Sequence, residues 1–184
     1  MLSRDEAIEL VKKYLKDVNL RKNSIIAEAL LREVARILGK DEEIWGLTGL
    51  LHNLDYDYTR ENPEKRGNLS ANLLENLLPE QSINAIKANN YMHTDYIPVT
   101  SLDKSLISIA EVTGFVITVA QSTPSKQLSD VDSNTLLSKF NDPNFATRFN
   151  RNKIKLCEDV GIELENFFSL TLSTLKQISK QLGL

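Results

Sequence analysis

The 184-residue chain is 41% hydrophobic and 26% charged, a globular balance with enough length for one ordinary domain to bury a core without staples. Its net charge of −3 provides no basic field for capturing nucleic acid over the whole surface, and a low share of glycine and proline argues against a disordered chain. No run reaches the roughly eighteen uninterrupted apolar residues of a membrane span, since Glu111 interrupts the best candidate, Ser105 to Ala120.

In chain order the pattern is helical throughout. Ser3 and Glu6 have capping-box spacing, with Ile8, Val11 and Leu15 on one face behind them. A second helix is predicted from Ser24 to Leu38, capped by Asn23, with Ile26, Leu30, Val34 and Ile37 on one side and Gly39 as its stop. Asp41 caps a third, where Glu42 and Glu43 favour the positive dipole end and Ile44, Leu47, Leu50 and Leu51 form the apolar face. The polar, Pro63-broken run DYDYTRENPEKRG (55–67) is a loop.

Helices are next expected over Asn68 to Leu78 and from Pro79 at a first-turn position to Ala88, then a loop, NNYMHTDYIPV, that carries His93. Ser101 caps the long apolar helix to about Gln121, and STPSKQLSDVDS is a surface segment. Short helices follow at Thr135 to Phe140, Asn144 to Asn150 and Arg151 to Val160, the last ending at Gly161. The final helix carries an apolar stripe of Leu164, Phe167, Phe168, Leu172, Leu175, Ile178 and Leu182. No alternating strand pattern, internal repeat or low-complexity linker appears, so the fold class is all-α.

Cys157 has no partner for an intrachain disulfide, and MLSRDEAIEL is charged where a secretory leader needs an apolar run; both point to the cytoplasm. Lys153 and Lys155 lie near Cys157, but without a histidine partner a buried structural thiol is expected. No Walker loop, GxGxxG, GxSxG, paired CxxC or HExxH occurs.

The segment WGLTGLLHNLDYDYT (45–59), followed by KRGNLSANLL (65–74), resembles the HD superfamily of metal-dependent phosphohydrolases, in particular its small HDIG-like members. The likeness continues through IKANN (86–90), IAEVTG (109–114), PSK (124–126) and NFATRFNR (144–151), and so spans the chain. It implies one HD-like helical bundle over residues 1–184, with a family core at about 20–121 and C-terminal helices 133–184 packed on it. The family's metal, held by imidazoles and carboxylates from different helices, polarises a phosphate and activates a water.

By that resemblance the family histidine of the second helix falls on Asn23, the His-Asp pair on His52 and Asn53, and the last aspartate on Ala110. Two further pocket histidines fall on Arg66 and Asn89. Only His52 survives as a ligand, and one imidazole does not hold a catalytic cation. An aspartate left behind without its metal would be a buried unpaired charge costing several kcal/mol, so its replacement by Asn or Ala is relaxation.

The expectation is therefore a non-catalytic ligand-binding or interaction module with neither metal nor cofactor. Its candidate site is His52, Asn53, Asn23, Asp55, Arg66 and Asn89, and its partner a small phosphorylated or anionic ligand. No nucleic acid or membrane partner is expected, and a homo-oligomer stays open. Asp55 has a counterpart in the family that makes a supporting hydrogen bond. Lys65 and Lys87 are candidates to join Arg66, Asn53 and Asn89 in an anion pocket. The alternative is a working phosphohydrolase for a nucleotide or other phosphate ester, with one divalent ion in a site rebuilt from His52, Asp55 and His93, where Asp57 is a further donor.

Overall fold

The structure, a computed structural model, describes residues 2–182, with side chains described as far as residue 179. It is all-helical, with no strand among the described residues. The chain divides into two compact units, residues 1–106 and 107–184, and the division falls inside one long helix.

In the first unit α1 (Arg4–Tyr14) starts with the expected reciprocal box, Ser3 Oγ accepting from Glu6 N while the Glu6 carboxylate accepts from Ser3 N. Ala7, Val11 and Leu15 face inward, and Ile8 is only partly buried. α2 (Val18–Leu38) begins well before the predicted Ser24. Asp17 is its cap, accepting from Asn19 N at 2.8 Å, so Asn23 is not a cap but an exposed residue in the helix. Nothing in VNLRK resists a helix once Asp17 has satisfied the first free N–H group, and this explains the longer element.

α2 ends at Gly39, in the left-handed conformation with φ 64°, and α3 (Glu42–Leu51) starts on Asp41, whose Oδ1 accepts from Ile44 N at 3.0 Å. Ile26, Leu30 and Val34 are buried as expected, whereas Ile37 is 57% exposed. The two helices are tied by a buried charge. Glu28, 3% exposed, takes Arg4 in a fork at 2.7 and 2.9 Å and Arg32 at 3.3 Å, and Arg32 reaches on to Glu43. Paired in this way, the carboxylate escapes the penalty of an isolated interior charge.

After α3 the chain makes two short 3-10 turns, Tyr56–Tyr58 and Pro63–Lys65, before α4 (Asn68–Leu74) and α5 (Glu80–Ala88), with Pro79 just outside α5 as its N-cap. α4 is shorter than expected, because residues 75–78 form turns. Leu47, Leu50, Leu54, Leu74 and Ile86 are at the centre of this unit's core.

α6 (Ser101–Ser122) belongs to the first unit up to Leu106 and to the second thereafter. Its box is Thr100 with Asp103, one residue earlier than the predicted Ser101: Asp103 N donates to Thr100 Oγ1, and Asp103 Oδ2 accepts from Thr100 N at 2.8 Å. By length and composition α6 could cross a membrane, but 61% of its most apolar window is buried inside the protein, as in a core helix.

The second unit holds α7 (Ser133–Asn141), capped by Asp132, the short α8 (Arg151–Ile154) and α9 (Leu156–Asp159), and α10 (Leu164–Leu182). Phe115 of α6 is its hub, with Phe140, Phe145 and Phe149 edge-on at 5.9 to 6.2 Å and Phe168 stacked at 6.1 Å. The helix predicted over Asn144 to Asn150 is absent; these residues form a turn with Ala146 at φ 47°. Arg151 holds the turn by donating to the carbonyls of Phe145, Ala146 and Phe149, which compensates for the missing helical donors. On α10, Leu164, Phe167, Phe168, Leu172 and Leu175 are buried, and Leu182 lies outside the residues whose side chains are described.

Candidate functional site

The site begins with a close helix approach. A Cβ on Gly49 of α3 would lie 2.5 Å from the Ala27 carbonyl oxygen of α2, so only glycine allows the two backbones to meet there. One turn later His52, the C-cap of α3, is 8% exposed and has Nδ1 2.7 Å from the Gly49 carbonyl. A carbonyl only accepts, so Nδ1 carries the proton and Nε2 of the neutral ring is an acceptor. Burial pushes the His52 pKa down; the Gly49 carbonyl and the Asp55 carboxylate pull the other way without overcoming it.

Asn53 is buried beside His52, and its Oδ1 accepts from Ser24 Oγ at 2.8 Å. Ser24 is the inward-facing neighbour of exposed Asn23. Its signal was present in the sequence: it is a polar residue within an apolar face, spaced from Leu20 and Ala27 as helix neighbours are.

Asp55 fills a different role. Its Oδ2 accepts from Gly67 N at 2.8 Å and Ser70 N at 3.0 Å, and its own N–H donates to Ser70 Oγ at 3.0 Å. Gly67, the N-cap of α4, has no side chain to offer and sits at φ 85°, so Asp55 supplies the cap from across the loop. The Arg66 guanidinium carbon lies over Tyr56, 4.0 Å from the ring centroid. Asn90 pins the same loop through Nδ2, which donates to the Pro63 and Arg66 carbonyls at 3.0 Å each. No spacing rule singles out Asn90. Asn89 is the half-buried C-cap of α5.

The remaining candidates disperse. Asp57 accepts from Lys16 N at 2.7 Å and from Arg60, and although burial pushes its carboxyl up, these donors hold it below the usual range. Lys65 is exposed. Lys87 and exposed His93 line a polar pocket of about 260 Å³ with Asn68, Thr94, Asp95 and Tyr96, apart from Arg66. Ala110 is an exposed residue of α6 in the second unit. Burial pushes the Cys157 thiol up to about 12, so it carries no thiolate at neutral pH.

Among the described residues no group of three or more His, Cys, Asp or Glu converges as metal donors. Of the donors near this position, His52 offers one nitrogen, the Asn53 amide oxygen is already bonded to Ser24, and the Asp55 carboxylate has one oxygen on two backbone amides, which falls short of the several converging donors of a catalytic dication. Comparison with protein families, curated proteins and solved structures finds no match to this chain.

Proposed function

We propose that the chain is a degenerate relative of the HD phosphohydrolases, working without a catalytic metal as a cytoplasmic module that binds a small phosphorylated or anionic ligand. One observation carries this reading. Where the resemblance places the metal-binding aspartate, Asn53 is closed into a buried, neutral hydrogen bond with Ser24. Burial leaves the adjacent imidazole of His52 uncharged, with Nδ1 donating to the Gly49 carbonyl and Nε2 an acceptor, a single nitrogen where a bound dication needs several donors. Support for an anionic ligand comes from the polar pocket that Lys87 and His93 line with Asn68, Thr94 and Tyr96, although Asp95 in the same lining opposes a negative charge.

Two measurements test it. Elemental analysis of protein purified without chelator is expected to show no stoichiometric Fe, Mn, Zn, Ni or Mg. A signal of one ion per chain, or Mn-dependent phosphodiester turnover abolished by His52→Ala, would overturn the reading in favour of a working hydrolase. A thermal-shift panel of nucleotides and inorganic phosphate should then find stabilisation by at least one phosphorylated compound, lost in Lys87→Ala.

A further inference from the structure

The second unit has a cavity of about 710 Å³, within the roughly 300–1,000 Å³ of ligand sites and separate from the Lys87–His93 pocket of the first unit. Its walls come from the last turns of α6, the loop that runs through the 3-10 turn Leu128–Asp130, and α10. Ile117, Ala120 and Leu128 supply apolar surface, while Lys126, Lys176, Gln121 and Gln127 carry most of the polar share. Among the described residues neither aspartate nor glutamate lines it.

The two lysines differ. Lys176 Nζ is committed to the loop, donating to the Val131 carbonyl at 2.9 Å and to that of Ser129 at 3.4 Å. Lys126 is exposed and has no ion-pair partner among the described residues. Its backbone is left-handed, with φ 57°, and Thr123 holds it there: the Thr123 carbonyl and Oγ1 both accept from Lys126 N at 3.1 Å. A side chain is strained in that conformation where glycine is not, so the turn gives up stability to carry an ammonium in the cavity wall. Gln121 and Gln127 add neutral amide donors. The acid next along the chain, Asp130, lies outside the lining and accepts from Ser129 Oγ at 3.0 Å.

We propose that this cavity binds an organic monocarboxylate, its apolar body against Ile117, Ala120 and Leu128 and its carboxylate paired with Lys126. One uncommitted ammonium with neutral amides matches a single negative charge. A phosphate monoester, close to doubly charged at neutral pH, would set its second charge near Asp130 without a further cation to offset it. The inference does not rest on the metal-free reading, which concerns other residues in the first unit.

Octanoate, 1-octanol, octylammonium and octyl phosphate share one chain and differ in head group, so NMR titration of the full protein with each separates charge from apolar contact. Octanoate is expected to bind about tenfold more tightly than octanol or octyl phosphate, with octylammonium weakest, and to shift the amides of Gln121, Lys126, Gln127 and Lys176. Lys126→Gly should bring octanoate down to the level of octanol while the urea midpoint stays at or above that of the wild type, because the strained side chain is gone. Gln121→Trp, at an exposed position of the lining, should weaken octanoate and octanol alike by about tenfold. Lys87→Ala, in the other pocket, should leave octanoate binding unchanged; a loss there would place the carboxylate in the first unit and overturn the proposal without touching the metal-free reading. Octylammonium or octyl phosphate binding as tightly as octanoate, full octanoate affinity in Lys126→Gly or Gln121→Trp, a lowered urea midpoint in Lys126→Gly, or no octanoate binding at millimolar concentration each overturns it as well.

Discussion

Gly49 and His52 act as a pair. The missing side chain of one lets α3 lie against the Ala27 backbone, and its carbonyl fixes the ring of the other. Gly49→Ala would drive a methyl into main chain, which cannot swing aside, so an overpacking loss of about 2–3 kcal/mol is expected in urea unfolding followed by Trp45 fluorescence. His52 adds a pH signature. Its folded pKa lies below its unfolded value, so the unfolded chain takes the proton first. Stability is therefore full above the ordinary histidine pKa of about 6.5 and falls as pH drops below it, levelling out only beneath the folded value. Unfolding free energies across that window should slope downward for the wild type, and more weakly for His52→Gln. Equal slopes would mean that the buried ring is not the group responsible. At this scale the sequence identified His52, Asn53 and Asp55 as residues of interest, but not their partners. Ser24 sits next to the residue expected to matter, and the carbonyls and amides that hold His52 and Asp55 are main-chain groups without a letter of their own.

Helix existence was legible nearly everywhere, because apolar periodicity and caps such as Ser3–Glu6, Asp41 and Gly39 are local signals. Boundaries were not, wherever a competing cap lay close by: Asp17 displaced Asn23, and Thr100 displaced Ser101. The missing helix at Asn144 to Asn150 has a side-chain cause, the guanidinium of Arg151 just after the segment, which gathers three of its carbonyls and lies 5.0 Å from the Phe115 centroid. Hydrogen bonds to a charged donor contribute about 1.5–3 kcal/mol each but share one side chain here, so Arg151→Ala should cost about 3 kcal/mol in total. Arg151→Lys is expected to recover less than half, since an ammonium lacks the planar fork. Far-UV CD is the appropriate probe for both variants; a loss within about 0.5 kcal/mol, as for an ordinary surface change, would show that the turn holds itself.

Over the whole molecule the aromatic residues are partitioned. Trp45 and all five tyrosines fall within residues 1–106, and all six phenylalanines within 107–184. Trp45 fluorescence therefore follows the first unit alone, while far-UV CD follows both. α6 links them covalently: its first six residues belong to one unit, with Leu102, Asp103 and Leu106 buried, and the rest carries Phe115 in the other. A six-residue segment does not sustain a helix by itself, because nucleation is unfavourable and isolated helices under about twelve residues are marginal. Melting the later turns of α6 should thus release the earlier ones and expose their buried side chains. Phe168→Ala, which opens the phenylalanine cluster at a cost of about 3–5 kcal/mol, is expected to move the fluorescence and CD transitions to lower urea together, although Trp45 lies in the unit that was not mutated. A CD curve that shifts while the Trp45 curve stays in place would show that the first unit keeps its six residues of α6 folded without the remainder of the helix.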